Sequence, residues 1–186
     1  MTKFYRVAGH VFAMTLPEGL FKYMEQYSPF AAAEVPDPLF RLALVQELPE
    51  VQAETVYDPP TEVGQTRVTL SHFDGGWLFE MSADRDLPVS ARMMTDEDFS
   101  QGRLLLSTRK VHDGVFGVNN AAMLLYAFRS APFGTLELHA SMVSNAGRAF
   151  LFMAKSGTGK STHSSLWLEH VPGSELMNDD NPVVRI

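Results

Sequence analysis

Cysteine is absent from the 186-residue chain, which excludes disulfides and thiolate metal sites and is compatible with a reducing compartment. A basic excess is missing too. The 15 Lys and Arg stand against 22 Asp and Glu, a formal net charge of -7, so there is no field of the kind that draws proteins onto nucleic acid. No apolar run approaches the roughly 20 residues of a membrane span, and Met1-Thr2-Lys3-Phe4-Tyr5-Arg6 lacks the charged-then-apolar build of a signal peptide. Internal repeats and low-complexity tracts are also lacking. The expectation is a soluble cytoplasmic protein with neither nucleic acid nor membrane as partner. Its 45% hydrophobic content supports one ordinary core, or a small domain plus part of a second.

The first two thirds of the chain read mostly as strands. Phe4 to Leu16 alternates, with Gly9 marking a bend or bulge, and His10 reads as an ordinary strand residue because no partner at metal spacing accompanies it. Leu20 to Tyr27 has the spacing of a short amphipathic helix stopped by Ser28-Pro29. Leu39 to Leu48, bracketed by prolines, favours strand. Arg67 to Phe73 and Trp77 to Ser82, joined by Asp74-Gly75-Gly76, form the clearest hairpin signal, with Trp77, Phe79 and Met81 on one face. Asp84-Arg85-Asp86 and Asp96-Glu97-Asp98 read as solvated turns, and Thr95 with Asp98 also has the form of a helix-capping pair. Arg103 to Thr108 adds a strand. Asn119-Asn120 then serves as the N-cap of a buried helix, Ala121 to Ser130, ended by Pro132 and Gly134. The division expected is a β-rich N-terminal domain over 1–118 and a connecting helix with a second domain over 119–186.

The most informative stretch is Ala154-Lys155-Ser156-Gly157-Thr158-Gly159-Lys160-Ser161. It fits the phosphate-binding P-loop pattern in its wider form, with Ala at the first position. Thr135 to Ser144 and Arg148 to Met153 read as strands turned at Asn145-Ala146-Gly147, and the second delivers the chain into the loop. Gly157 and Gly159, lacking Cβ, let backbone N–H groups close around phosphate oxygens, while the helix that follows, read over His163 to His170, turns its positive end to the same anion. Lys160 supplies charge for the β- and γ-phosphates and Ser161 a hydroxyl for Mg²⁺. Ser156, Thr158 and Thr162 complete the nucleotide-binding set. After the turn Val171-Pro172-Gly173, a short strand from Ser174 to Met177 ends in Asn178-Asp179-Asp180-Asn181-Pro182. Carboxylates at such a strand tip can hold Mg²⁺ and accept a proton from an attacking hydroxyl.

Leu138-His139-Ala140, the hairpin, the loop Ala154 to Ser161, and Leu176 to Asp180 together resemble the catalytic domain of HPr kinase/phosphorylase and, more broadly, the nucleotide site of ATP-dependent phosphoenolpyruvate carboxykinase. The resemblance covers about residues 136–186. Ala154 and Thr162 depart from the Gly and Glu usual in HPr kinases, and the superfamily's further strands would lie downstream of Ile186. It implies a mixed α/β chain in which a β-rich N-terminal subdomain precedes the start of a carboxykinase-like P-loop domain. It further implies His139 as an active-site histidine and Asp179 and Asp180 as the base and metal pair, either carboxylate being able to take either role. The catalytic set is therefore Asp179, Asp180 and His139, and the metal set Ser161 with Asp180. The expected function is transfer of the γ-phosphoryl of Mg²⁺-ATP to a hydroxyl on a protein or small molecule, with a homo-oligomer implied by likeness to HPr kinases. The alternatives are a nucleotide-binding or interaction module that is not a catalyst, and a carboxykinase-like enzyme.

Overall fold

The computed structural model describes residues 1–107 and 110–186. The chain is mixed α/β and rich in strands, and it forms two compact units, Met1–Pro132 and Phe133–Ile186.

In the first unit, β1 (Thr2–Val7) and β2 (His10–Thr15) form a hairpin. Gly9 is thus not a bulge within one strand. Ala8 and Gly9, with φ of 45° and 83°, make a two-residue turn of the kind whose twist matches antiparallel strands. The expected helix over Leu20 to Tyr27 is split into a single turn, α1 (Glu18–Phe21), and a 3-10 segment, Glu25–Phe30. The remaining strands are β3 (Ala31–Ala32), β4 (Arg41–Leu44), β5 (Ala53–Tyr57), β6 (Arg67–Phe73), β7 (Gly76–Ser82), β8 (Ala91–Thr95) and β9 (Gln101–Leu106). Thr108, where the last strand was expected to end, lies outside the described residues. The sheet order is β3-β1-β2-β4-β9-β8-β7-β6-β5, with β4 parallel to both neighbours and all other pairs antiparallel. The β6–β7 hairpin agrees with the sequence reading, Gly75 taking a φ of 96° at its turn.

The strand register stacks apolar residues on one face. Phe79 lies opposite Met93, Met93 opposite Leu104, and Leu42 opposite Gly102, and the side chains of Phe79, Met93, Leu104 and Leu42 are buried. Across this face runs α2 (Val111–Ser130), which packs on β8 and β9. It starts at Val111, eight residues before Asn119 of the expected N-cap pair. Asn119 and Asn120 are interior helix residues, the Asn120 amide donating to Phe116 O at 2.9 Å. The division expected at 118/119 falls inside this helix, and the compact units instead part after Pro132.

The early start was masked by Gly114 and Gly117, which lower helix propensity but let α2 approach the sheet closely. A Cβ on Gly117 would sit 2.6 Å from Leu106 Cδ2 and 2.9 Å from Ala91 Cβ. The complementary relation holds at the other end, where a Cβ on Gly102 of the sheet would meet Leu125 of α2 at 2.5 Å. Tyr126 donates to Val7 O at 3.0 Å and packs edge-on to Phe12 and His10. His10 is accordingly a buried strand residue. The acidic clusters form turns: Asp84 accepts from the amides of Gly64 and Asp86, while Asp96 and Asp98 accept from residues 100 and 101. Thr95 and Asp98 cap no helix there, because that turn joins β8 to β9.

The second unit contains β10 (Thr135–Glu137), β11 (Ala140–Asn145), β12 (Arg148–Met153), α3 (Lys160–His170), β13 (Glu175–Asn178) and β14 (Val183–Arg185). β10 pairs with β14, and β11 is the middle strand between β12 and β13. Ala146 and Gly147, with φ of 49° and 73°, form the β11–β12 turn within the expected Asn145-Ala146-Gly147. Helix α3 lies against this sheet through Trp167 on Phe150 and Phe152, ring centroids 4.6 and 5.5 Å apart, and through His163 edge-on to Phe152. Among the described residues, no helix is long and apolar enough to cross a membrane.

Because the α2 contact depends on the missing side chain at 117, Gly117→Val is expected to lower stability by about 1–3 kcal/mol. A urea titration followed by circular dichroism reads this as a lower midpoint; an unchanged midpoint would contradict the close packing of α2 on β8 and β9.

Candidate functional site

The run expected as one strand, Thr135 to Ser144, is broken at Leu138-His139, and that break builds the site. Leu138 N donates to Pro182 O and Ala140 N to Asp180 O, each at 3.0 Å, and two residues on Met142 pairs with Asn178. Residues 138–142 therefore run alongside 178–182. His139 is brought to Asp180, and Ser141 to Asp179. Asn178 shapes the far side: its Oδ1 accepts from the amides of Asp180 and Asn181, both at 2.9 Å, an Asx turn that sets the direction of the carboxylate pair.

On the other flank, β12 leads into residues 154–159 and these into α3. Gly157 and Gly159 take φ of 77° and 94°, conformations that carry little penalty only without Cβ. The loop is braced by Thr158, whose amide and Oγ1 both donate to Lys155 O, at 3.3 and 2.7 Å. The α3 helical ladder begins with His163 N on Gly159 O at 2.9 Å. The amides before it, at Lys160, Ser161 and Thr162, belong to the turn that an α-helix leaves without internal acceptors. Ser156 is exposed in the loop, and Ser161 and Thr162 are exposed on the first turn of α3.

Lys160 folds back over its own loop. Its Nζ donates to Ala154 O at 3.1 Å, reaches Lys155 O at 3.5 Å, and lies 2.9 Å from His139 Nε2. An ammonium only donates, so Nε2 accepts and the ring proton resides on Nδ1. Nδ1 faces Asp180 Oδ1 at 3.3 Å. Lys160, His139 and Asp180 thus form one polarised chain, the last two with side chains 53% and 73% exposed.

Asp179 faces elsewhere. Ser141 Oγ donates to its Oδ1 at 2.5 Å and lies 2.5 Å from Ser164 Oγ on α3. Both serines are buried. Neither was singled out from the sequence, since a strand serine and a helix serine carry no motif. Glu137 also escaped notice. Burial, and then the nearby Asp180 charge, push its carboxyl up to about 7. Among the described residues, no group of three or more His, Cys, Asp or Glu side chains is arranged to hold a metal ion.

The structure therefore brings His139, Lys160 and Asp180 together, and turns Asp179 toward the buried serines. Comparison with protein-family models, curated proteins and solved structures finds no match to this chain.

The raised Glu137 carboxyl has a definite consequence for stability. The folded form holds this proton up to about pH 7, whereas an unfolded carboxyl loses it near 4.5. Its contribution is full below about 4.5 and is lost as pH rises through about 7. Glu137→Gln, which keeps the shape without ionising, is expected to flatten the fall in melting temperature between those limits. Parallel pH series of wild type and variant by thermal denaturation check this, and identical slopes would contradict it.

Proposed function

We propose that residues 133–186 bind ATP with Mg²⁺ and act in phosphoryl transfer from it to a hydroxyl acceptor, in the manner of HPr kinase-like proteins. The observation that carries this reading is the approach of His139, Lys160 and Asp180 around a loop with positive φ at Gly157 and Gly159. A loop in this conformation, opening onto the first-turn amides of α3, is suited to a polyphosphate, because amide dipoles and an ammonium converge on one small volume.

The polar groups divide by chemistry. Lys160 is a point charge for the phosphate oxygens, exchanging its contacts with Ala154 O and Lys155 O for stronger charge-assisted ones. Ser161 and the carboxylates of Asp179 and Asp180 are hard oxygen donors, the class that suits Mg²⁺. This set fits Mg²⁺, which is held by one or two protein oxygens together with phosphate oxygens and water rather than by a cage of acidic side chains. Bound there, Mg²⁺ would neutralise charge on the β- and γ-phosphates. His139 keeps its proton on Nδ1 toward Asp180, orienting that carboxylate, and one of the two aspartates takes the proton of the acceptor hydroxyl. Phosphoryl transfer asks mainly for positioning and charge neutralisation, which these groups are built to supply.

Lys160→Ala is expected to weaken ATP binding by roughly tenfold to a hundredfold, the scale of a lost charge-assisted contact to phosphate. Isothermal titration calorimetry with Mg²⁺-ATP measures it directly. Unchanged affinity would overturn the proposal, while ATP binding without turnover of any hydroxyl acceptor would favour the reading as a nucleotide-binding module.

A further inference from the structure

We propose that Ser164 and Ser141 form a hydroxyl relay that positions Asp179 as the carboxylate facing the Mg²⁺ of bound nucleotide, leaving Asp180 to the His139 and Lys160 side of the site. This deepens the nucleotide-binding reading and rests on it.

The direction of the relay follows from proton count. Each serine has one hydroxyl proton, and an ionised carboxylate has none to give. Ser141 spends its proton on Asp179 Oδ1, so the contact between the two serines must be donated by Ser164 to Ser141. The chain of donation runs one way, from helix α3 through strand β11 to the carboxylate. The relay therefore engages Asp179 Oδ1 and leaves its second oxygen outside the chain of donation.

The two serines also relate Asp179 to the first turn of α3. Ser161 and Ser164 are three residues apart on α3 and hence on one face of it. Asp179 is linked to that face through Ser141, whereas Asp180 lies against His139. A carboxylate oxygen that accepts is what a magnesium-bound water requires of its neighbour, and the relay ties Asp179 to the face of α3 that carries Ser161. Ser141 and Ser164 are positioning residues, acting through Asp179.

The test compares calorimetric affinities for ATP with Mg²⁺ and with EDTA, so that each protein reports the factor gained from the metal. Wild type is expected to bind ATP more tightly with Mg²⁺. Ser141→Ala should cut that factor by about tenfold, as loss of a hydrogen bond to a metal-side group does, while metal-free affinity stays within about twofold of wild type, a spread taken as no effect. Ser164→Ala should give a smaller cut, because Ser141 still donates to Asp179. In an Asp179→Asn background neither alanine should have further effect, since members of one relay are not additive. A merely structural role would lower both affinities together and would persist in that background. If Ser141→Ala does not fold, the cycle between Ser164→Ala and Asp179→Asn decides alone. An unchanged metal factor in the serine variants, or additive losses, would overturn the relay while leaving the nucleotide site standing. Absence of a metal factor in wild type would do the same. Failure of wild type to bind ATP at all would overturn the nucleotide reading and the relay with it.

Discussion

Two backbone hydrogen bonds organise the second unit: Leu138 N to Pro182 O and Ala140 N to Asp180 O. They sit where regular pairing changes hands, since residues 135–137 pair with β14 and residues 140–145 pair with β12 and β13. The bonds carry the alignment across the break, so that two segments about 40 residues apart in sequence stay in register. Because they fix backbone, every side chain in the stretch inherits its place. His139 meets Asp180, Ser141 meets Asp179, and Glu137 ends close enough to Asp180 to feel its charge. Shifting this pairing by one residue would exchange the partners and leave buried hydroxyls without acceptors.

The first unit solves a different problem. A nine-stranded sheet must bury its apolar face under a single long helix. The solution is small residues at the contact points: Gly117 of α2 over Ala91 and Leu106, and Gly102 of the sheet under Leu125. Each admits a close approach that dispersion rewards atom by atom. The cost is a lower intrinsic helix propensity in α2, offset because tertiary burial outweighs propensity for a helix so apolar.

This contrast explains which features could be read from the residues. Turns were legible where the chain needs positive φ and supplies glycine, as at Gly75 and Gly147, and the phosphate-type loop was legible for the same reason at Gly157 and Gly159. The start of α2 was not, because Gly114 and Gly117 have the same local signature whether they break a helix or let one touch a sheet. The Asn119-Asn120 pair compounded this, since asparagine favours caps but also bonds within a helix, as Asn120 does to Phe116. At the candidate site, Lys160, His139 and Asp180 were picked out by motif and resemblance, and they come together. Ser141 and Ser164 were not, because what singles them out is burial and a shared partner, properties of the register between β11, β13 and α3. The short strand β14 escaped for the same reason. Its three residues have a meaning only as the mate of β10.

The division between the two aspartates shows how adjacent residues come to have separate environments. The chain leaves β13 at Asn178 and bends in the Asx turn that follows, so the pair Asp179-Asp180 does not present two equal carboxylates to one point. One side meets buried hydroxyls anchored on α3; the other meets the imidazole that also contacts Lys160. Repulsion between like charges is reduced by this separation, and each carboxylate receives its own donor. Lys160 adds a further constraint, since its ammonium is already shared among two loop carbonyls and His139. Asp180 is joined to Lys160 of the loop through a single imidazole, while Asp179 is held by a separate path through Ser141 to Ser164 of α3.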